Sequence, residues 1–279
     1  MSISQVIAGF GATNVNAAPK IKTEQQISDA VGEVPINIAN NNEFQNVLRS
    51  TPYVVNENSE HSSDYRTIST TYENGSSLNI HIDSGNGGQG ANNTFNVFGT
   101  SFETLTKYNE VGSFSYNEQN EGQTSKYTGY FDNTYNGGQS YGRLSGFSVD
   151  KDDDGNTEKE FSYDYNNYLK EANYDVDDDG VVDYSVEYDR QQHKTSEKFD
   201  LDSDGLSDIE KTYDEDGNLV QILEKAEDGQ YTTYYENGDA VRTEIDDDFD
   251  GKVEYERIYN EDGTYKEKDR RGFLERIFG

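Results

Sequence analysis

From about residue 61 onward, apolar and polar residues alternate with period two between short Gly/Asn-rich turns. Tyr65–Tyr72, Leu78–Ile82, Thr94–Phe98, Ser113–Tyr116 and Tyr127–Phe131 each put β-branched or aromatic residues on one face, which predicts strands joined by turns. The alternation continues further on. Val182, Tyr184, Val186 and Tyr188 share one face, as do Ile209, Lys211 and Tyr213, and Val253, Tyr255 and Tyr259 with Arg257 between them. One face is half apolar and Tyr-rich and the other polar, so the expected core is thin. Residues 1–60 lack the alternation. They are rich in Asn, Ala and Ser, with one helical patch around Glu43 to Leu48, and read as a flexible tail or export segment.

Over 148–270 the pattern becomes a repeat. Four acidic segments share the form D-x-D-x-D-G-x-x-[DE]: Asp150, Asp152, Asp154 and Glu158; Asp175, Asp177, Asp179 and Asp183; Asp200, Asp202, Asp204 and Asp208; Asp246, Asp248, Asp250 and Glu254. Their glycines, Gly155, Gly180, Gly205 and Gly251, are spaced by 25, 25 and 46 residues, and the long gap holds a decayed copy around Asp228 and Gly229. Position 14 of each copy is a tyrosine followed by Asp or Asn: Tyr163, Tyr188, Tyr213 and Tyr259, with Tyr235 in the decayed copy. Glycine turns follow at Gly217 and Gly263. An apolar residue, Val149, Tyr174, Phe199 or Ile245, precedes each loop and is expected to pack beneath it. Each copy therefore reads as acidic turn, strand, polar turn and return strand, a β-hairpin repeated as a meander. The expected fold is all-β: tandem antiparallel hairpins, a meander or solenoid, over 148–270, preceded by a Tyr/Gly/Asn-rich β region at 61–147. The basic, apolar end at 271–279 is expected to cap the last hairpin.

The loops carry the chemistry. Carboxylates at positions 1, 3, 5 and 9 can converge on one centre, and glycine at position 6 permits the sharp turn. Hard oxygen donors at this density suit Ca2+, which predicts four calcium sites. A helix–loop–helix EF-hand needs a bidentate Glu at position 12, where this chain has Phe161, Val186, Lys211 and Arg257. The period-two flanks exclude its helices as well.

Composition agrees with a metal-stapled fold. Hydrophobic residues make up 31%, against 28% charged, with 55 acids, 23 bases and a formal net charge of −32. Such values mark disorder, yet 22 Tyr and 13 Phe exceed what a disordered chain carries. Four Ca2+ ions would bring eight positive charges, moving −32 to −24. The surface stays acidic, which argues against nucleic acid as a partner. There is no Cys, and no apolar run approaches the roughly 18 residues of a membrane span. His61, His81 and His193 lie apart in unlike settings, and no phosphate loop, nucleophile elbow or H-E-x-x-H motif is present. No enzymatic activity is expected from them. A lone Gly87–Asn92 stretch reads as a flexible loop.

Three resemblances extend this reading. The loops resemble the calcium-binding β-hairpin loops of integrin alpha propellers. That resemblance implies that the four acids are joined by the carbonyls of Asn156, Val181, Leu206 and Lys252, while Asp153, Asp178 and Asp247 point outward. The Tyr213-Asp-x-x-Gly217-Asn-Leu219 element resembles the YD repeats of Rhs-type bacterial surface proteins, and Tyr231–Gly238 looks like a MORN-type hairpin. These cover about residues 148–265 and imply a bacterial repeat scaffold. The expected function is a secreted or cell-surface structural, adhesive or assembly module stiffened by Ca2+ bound at roughly 10⁻⁴–10⁻³ M. Self-association, a cell-surface component or a glycan would be its partner. The alternative is a secreted effector with a glycan-binding or glycan-cleaving site in 61–147.

Overall fold

The computed structural model describes the backbone of residues 22–50, of strand segments between 58 and 106, and of 111–120, 122–136, 139–164 and 166–272. Two helices open the described chain, α1 (Glu24–Val31) and α2 (Asn42–Ser50), the latter after a 3₁₀ turn at Ile38–Asn40. All the strands described after them pair antiparallel, so the fold is all-β as the alternation predicts. The chain divides into two compact units, Glu33–Gly180 with Arg190–Gln192, and Met1–Gly32 with Val181–Asp189 and His193–Gly279.

The strands of the Glu33–Gly180 unit are β1 (Asn58–His61), β2 (Tyr65–Thr71), β3 (Ser77–Asp83), β4 (Ala91–Val97), β5 (Thr100–Thr106), β6 (Val111–Asn120), β7 (Gln123–Asn136), β8 (Gln139–Asp150), β9 (Lys159–Tyr163) and β10 (Leu169–Tyr174). They pair in the order β1-β2-β3-β6-β7-β8-β9-β10, while β4 and β5 form a separate hairpin. All five segments expected to be strands between 61 and 147 overlap one of these strands. Cross-strand neighbours build a ladder of rings. Tyr116, Tyr127, Phe147 and Phe161 stack in sequence with centroids 6.1, 6.2 and 6.3 Å apart, and Tyr174 meets Phe161 edge-on at 5.8 Å. Offset stacks of this kind add about 0.5–1.5 kcal/mol each beyond burial. The core is thin but continuous along the sheet.

Residues 36–44 reach that aromatic face. Phe44 packs edge-on against Phe147 at 5.4 Å, and Glu43 pairs with Lys159. Asn41, fully buried, accepts the Phe44 N–H through its side-chain oxygen and donates from Nδ2 to the Tyr163 hydroxyl at 3.0 Å. The helical patch read around Glu43 to Leu48 lies inside α2.

The other unit runs β11 (Tyr184–Tyr188), β12 (Lys194–Phe199), β13 (Ile209–Tyr213), β14 (Leu219–Ala226), β15 (Gly229–Glu236), β16 (Asp239–Asp246), β17 (Tyr255–Tyr259) and β18 (Tyr265–Asp269), paired in chain order. This is the expected meander. A register shift falls beside the recurring tyrosine in β11/β12, β13/β14 and β15/β16, where the strand hands over to the turn. In the polar turn, Asp214 accepts the N–H groups of Asp216 and Asn218, and Gly217 takes φ +80°. Asn167 does the same service after Tyr163 at φ +66°, a position Asn tolerates because its short polar side chain bonds locally.

Alternation holds best in β11, where Tyr184 and Val186 are buried, but Val182 is 46% exposed and lies outside the strand. In β17 the buried residue is Glu256, between Tyr255 and Arg257. It is held by Arg270 and lies 3.8 Å from Arg242. Arg271 stands over the Tyr255 ring at 4.7 Å. Residues 273–279 of the expected cap lie outside the described residues.

Candidate metal centres

Each acidic loop is shaped by its own backbone. The fourth residue is left-handed in all four copies, with φ of +59° at Asp153, +60° at Asp178, +59° at Ser203 and +60° at Phe249. The sixth is glycine, with φ between +83° and +101°. A left-handed non-glycine residue costs about 1–2 kcal/mol, and the first Asp of each loop offsets it. Asp150, Asp175, Asp200 and Asp246 each accept the N–H of the loop glycine, at 3.2, 2.7, 2.7 and 2.9 Å. Asp175 and Asp200 also accept the N–H of the left-handed residue, both at 2.7 Å.

The later positions are organised in the same way. Asp154, Asp204 and Asp250 accept the N–H groups of Asn156, Leu206 and Lys252. The ninth residue closes the loop twice. Glu158, Asp208 and Glu254 donate their own N–H to Val149, Phe199 and Ile245, and their carboxylates accept from Lys151, Leu201 and Asp247. The residues beneath the loops, Val149, Tyr174, Phe199 and Ile245, are all buried, as expected of anchors.

This scaffold gathers carboxylates. One oxygen from each of Asp150, Asp152 and Asp154 lies within 4.8 Å of the others, and the same holds for Asp246, Asp248 and Asp250, and for Asp200, Asp202 and Asp208. Oxygens bound to one Ca2+ at about 2.3–2.6 Å are at most about 5 Å apart, so these sets fit one ion. Asp150 and Asp246 are only 7% and 8% exposed, yet Oδ1 of each accepts no hydrogen bond. A buried carboxylate oxygen beside other carboxylates calls for a positive partner. The donor set is all oxygen, which suits a hard divalent cation.

The second loop crosses the division between the units after Gly180. Asp175, Asp177 and Asp179 belong with the first unit, and Val181 and Asp183 with the other. Asp183 is fully buried and paired with Lys22.

Several placements differ from the expected convergence of all four acids: Asp204 is not in the Asp200 set, nor Glu254 in the Asp246 set. Glu158 does not join the Asp150 set; it groups with Asp152 and with Asp178 of the next loop, again within 4.8 Å. Asp178, read as pointing outward, therefore faces acids, while Asp153 and Asp247 are exposed. The reason is stacking of successive loops. Asp175 donates its N–H to the Glu158 carbonyl at 3.1 Å, and a Cβ on Gly180 would stand 3.2 Å from the Asn156 side chain. Burial, then the carboxylates of Asp154, Asp152, Glu158 and Asp175, holds Asp178 above the ordinary carboxylate range. Burial, with neighbouring loop acids, raises Asp208 and Glu254 too.

The decayed copy shows the hairpin without its loop. Only Glu227 and Asp228 join β14 to β15, with Ala226 opposite Gly229. Gly229 runs so close to the fourth loop that a Cβ there would lie 2.6 Å from the Asp246 carbonyl oxygen.

Away from the loops, Glu197 is buried and accepts from the Tyr184 and Tyr213 hydroxyls and from Lys194, so it is a satisfied structural carboxylate. His193 sits in a turn, its Nδ1 at 2.7 Å from the Glu215 carbonyl oxygen. The side chains of His61 and His81, and most of those in the 61–147 region where a glycan site was considered, lie outside the described residues, as does the Gly87–Gly90 stretch. No helix among the described residues is long and apolar enough to cross a membrane.

No protein-family model and no curated protein matches the chain. Solved structures give faint likenesses, each at 12% identity. One is the accessory secretory protein 1, 2 and 3 structure of Streptococcus pneumoniae, with TM-score 0.25 over 38% of this chain and 19% of that one. The GtfA/B complex bound to UDP and GlcNAc gives 0.15 over 53% and 26%, and a porin-like protein from Bacteroides uniformis gives 0.16 over 76% and 91%. The chain thus spans less than two thirds of the length of the first two. With TM-scores this low, none of the three amounts to a shared fold.

Proposed function

We propose that this chain is a calcium-stabilised β-hairpin repeat protein, and that its role is that of a structural, adhesive or assembly module outside the cell or on its surface. The observation that carries the reading is the pair of buried, unpartnered oxygens, Oδ1 of Asp150 and Oδ1 of Asp246, on carboxylates that each gather with two further acids. Calcium suits these sets better than magnesium, which demands tight octahedral geometry and keeps most of its water. Expected affinities, on the order of 10⁻⁴–10⁻³ M, fill such sites outside cells and leave them vacant in cytosol. The decayed hairpin around Gly229 supports a stiffening role, since a copy without the acidic loop keeps its strands. Calorimetric titration with CaCl2 and MgCl2, paired with thermal melting in each ion and in chelator, tests the proposal. Calcium heats of binding and a higher melting temperature are expected. Identical melting in chelator and calcium would remove the metal from the account.

A further inference from the structure

We propose that Lys22 and α1 form a latch, in which the Lys22 ammonium holds a place that a divalent cation competes for. This rests on the reading of the loops as cation sites.

Lys22 is fixed at three points. Its ammonium pairs with Asp183, the ninth residue of the second loop, and donates to the Ser203 hydroxyl at 3.2 Å. Its N–H donates to the Leu201 carbonyl at 2.7 Å. Leu201 and Ser203 are the second and fourth residues of the third loop. The pair is buried, with the Lys22 side chain 10% exposed and that of Asp183 0%. In the other loops the ninth carboxylate accepts a backbone N–H from position 2. Asp183 is also met by a full positive charge, from a residue 161 positions away.

The contact is the near end of a longer docking. Thr23 and Gln26 form a capping box that starts α1 directly after Lys22. Glu24 pairs with Lys211, and Ile27 is fully buried. Lys22 thus ties the register of α1 to the acidic loops. A carboxylate that turns to a divalent ion gives up the ammonium, and an ammonium beside that ion is repelled. Ion binding at Asp183 and at the third loop therefore opposes docking of α1. By reciprocity, docking weakens ion binding by the same factor.

Amide hydrogen exchange of residues 24–31 on the full chain, with and without about 10 mM calcium, reads the latch, and calorimetry on the same samples reads the ion. Expected outcomes are faster exchange of α1 on adding calcium to the wild type, and faster exchange in Lys22→Met without any metal. Lys22→Met should also bind calcium roughly tenfold more tightly, within the usual range of coupling between linked sites. Lys22→Arg, which keeps the charge, should leave α1 protected in chelator. Calcium binding with unchanged or stronger α1 protection would overturn the competition. Equal metal-free protection in Lys22→Met and wild type would overturn the latch. Absence of any calcium heat would refute the cation reading and the competition together, while the metal-free comparison would still decide whether Lys22 holds α1.

Discussion

Replacing Asp246 with asparagine should have effects of opposite sign with and without calcium. Asp246 is 8% exposed; Oδ2 accepts the Gly251 N–H at 2.9 Å, Oδ1 is unpartnered, and the carboxylate gathers with those of Asp248 and Asp250. Asparagine keeps an oxygen for Gly251 and turns an NH2 donor toward the two acids. Oxygens within 4.8 Å of each other repel by about 1 kcal/mol at the dielectric of water and about 3 kcal/mol at an effective value near 20. Asp248 and Asp250 are exposed, and Asp250 is partly neutralised by Lys252, so the lower figure applies. Asp246→Asn should therefore stabilise the metal-free protein by about 1 kcal/mol, a rise of roughly 2–8 °C for domains of this size. With calcium at about 100 times its Kd, an intact site contributes about 2.7 kcal/mol, and the variant forfeits most of that. Melting followed by circular dichroism, wild type against variant in chelator and in calcium, gives four midpoints and one interaction term. A variant that melts below wild type by the same amount in both buffers would refute the reasoning, because it would show Asp246 to be only a cap for Gly251.

Three further outcomes follow from the same geometry. Gly229→Ala should cost about 2 kcal/mol or more in urea unfolding, since its Cβ would meet the Asp246 carbonyl oxygen at 2.6 Å and its φ is +144°; a wild-type midpoint would show that the approach relaxes freely. Asp178→Asn should weaken calcium binding measured by calorimetry if Asp178 shares an ion with Asp152 and Glu158, and should raise the metal-free melting temperature in either case by removing one of the crowded charges. Metal-free stability should rise as pH falls from neutral toward 4.5, measured by melting across that range. Asp178, Asp208 and Glu254 are held above their ordinary values, so the folded state binds protons more readily and their contribution is lost as pH rises through the folded pKa. Below 4.5 Glu197 works in the opposite sense, because Lys194 and two tyrosine hydroxyls hold it below its ordinary value of 4.5 and its contribution fades on protonation.

The loops, the anchors beneath them and the hairpin spacing were legible in the sequence because each depends on residues close together in the chain. Asp178 was not, because its neighbours Asp152 and Glu158 belong to the preceding loop, and only the stacking seen in the Asp175-to-Glu158 hydrogen bond brings them together. Ser203 in the matching position of the third loop hides the pattern further. Helix α1 gave no periodic signal, since eight residues with one buried side chain, Ile27, leave none to read. Its trace was the capping box, Thr23 followed three residues later by Gln26. The partner of Asp183 was illegible for the plainest reason: nothing local marks a lysine 161 residues away as its counter-charge.

The row of rings from Tyr116 through Phe161 has an optical consequence. The chain has 22 tyrosines and no tryptophan, so its near-ultraviolet signal comes mostly from phenols. Rings held 6.1–6.3 Å apart in one row couple their transitions and fix their handedness. The protein thus carries its own dichroic gauge of sheet order, blind to helix content, with which tightening of the aromatic row can be followed as an ion is added and no label is attached.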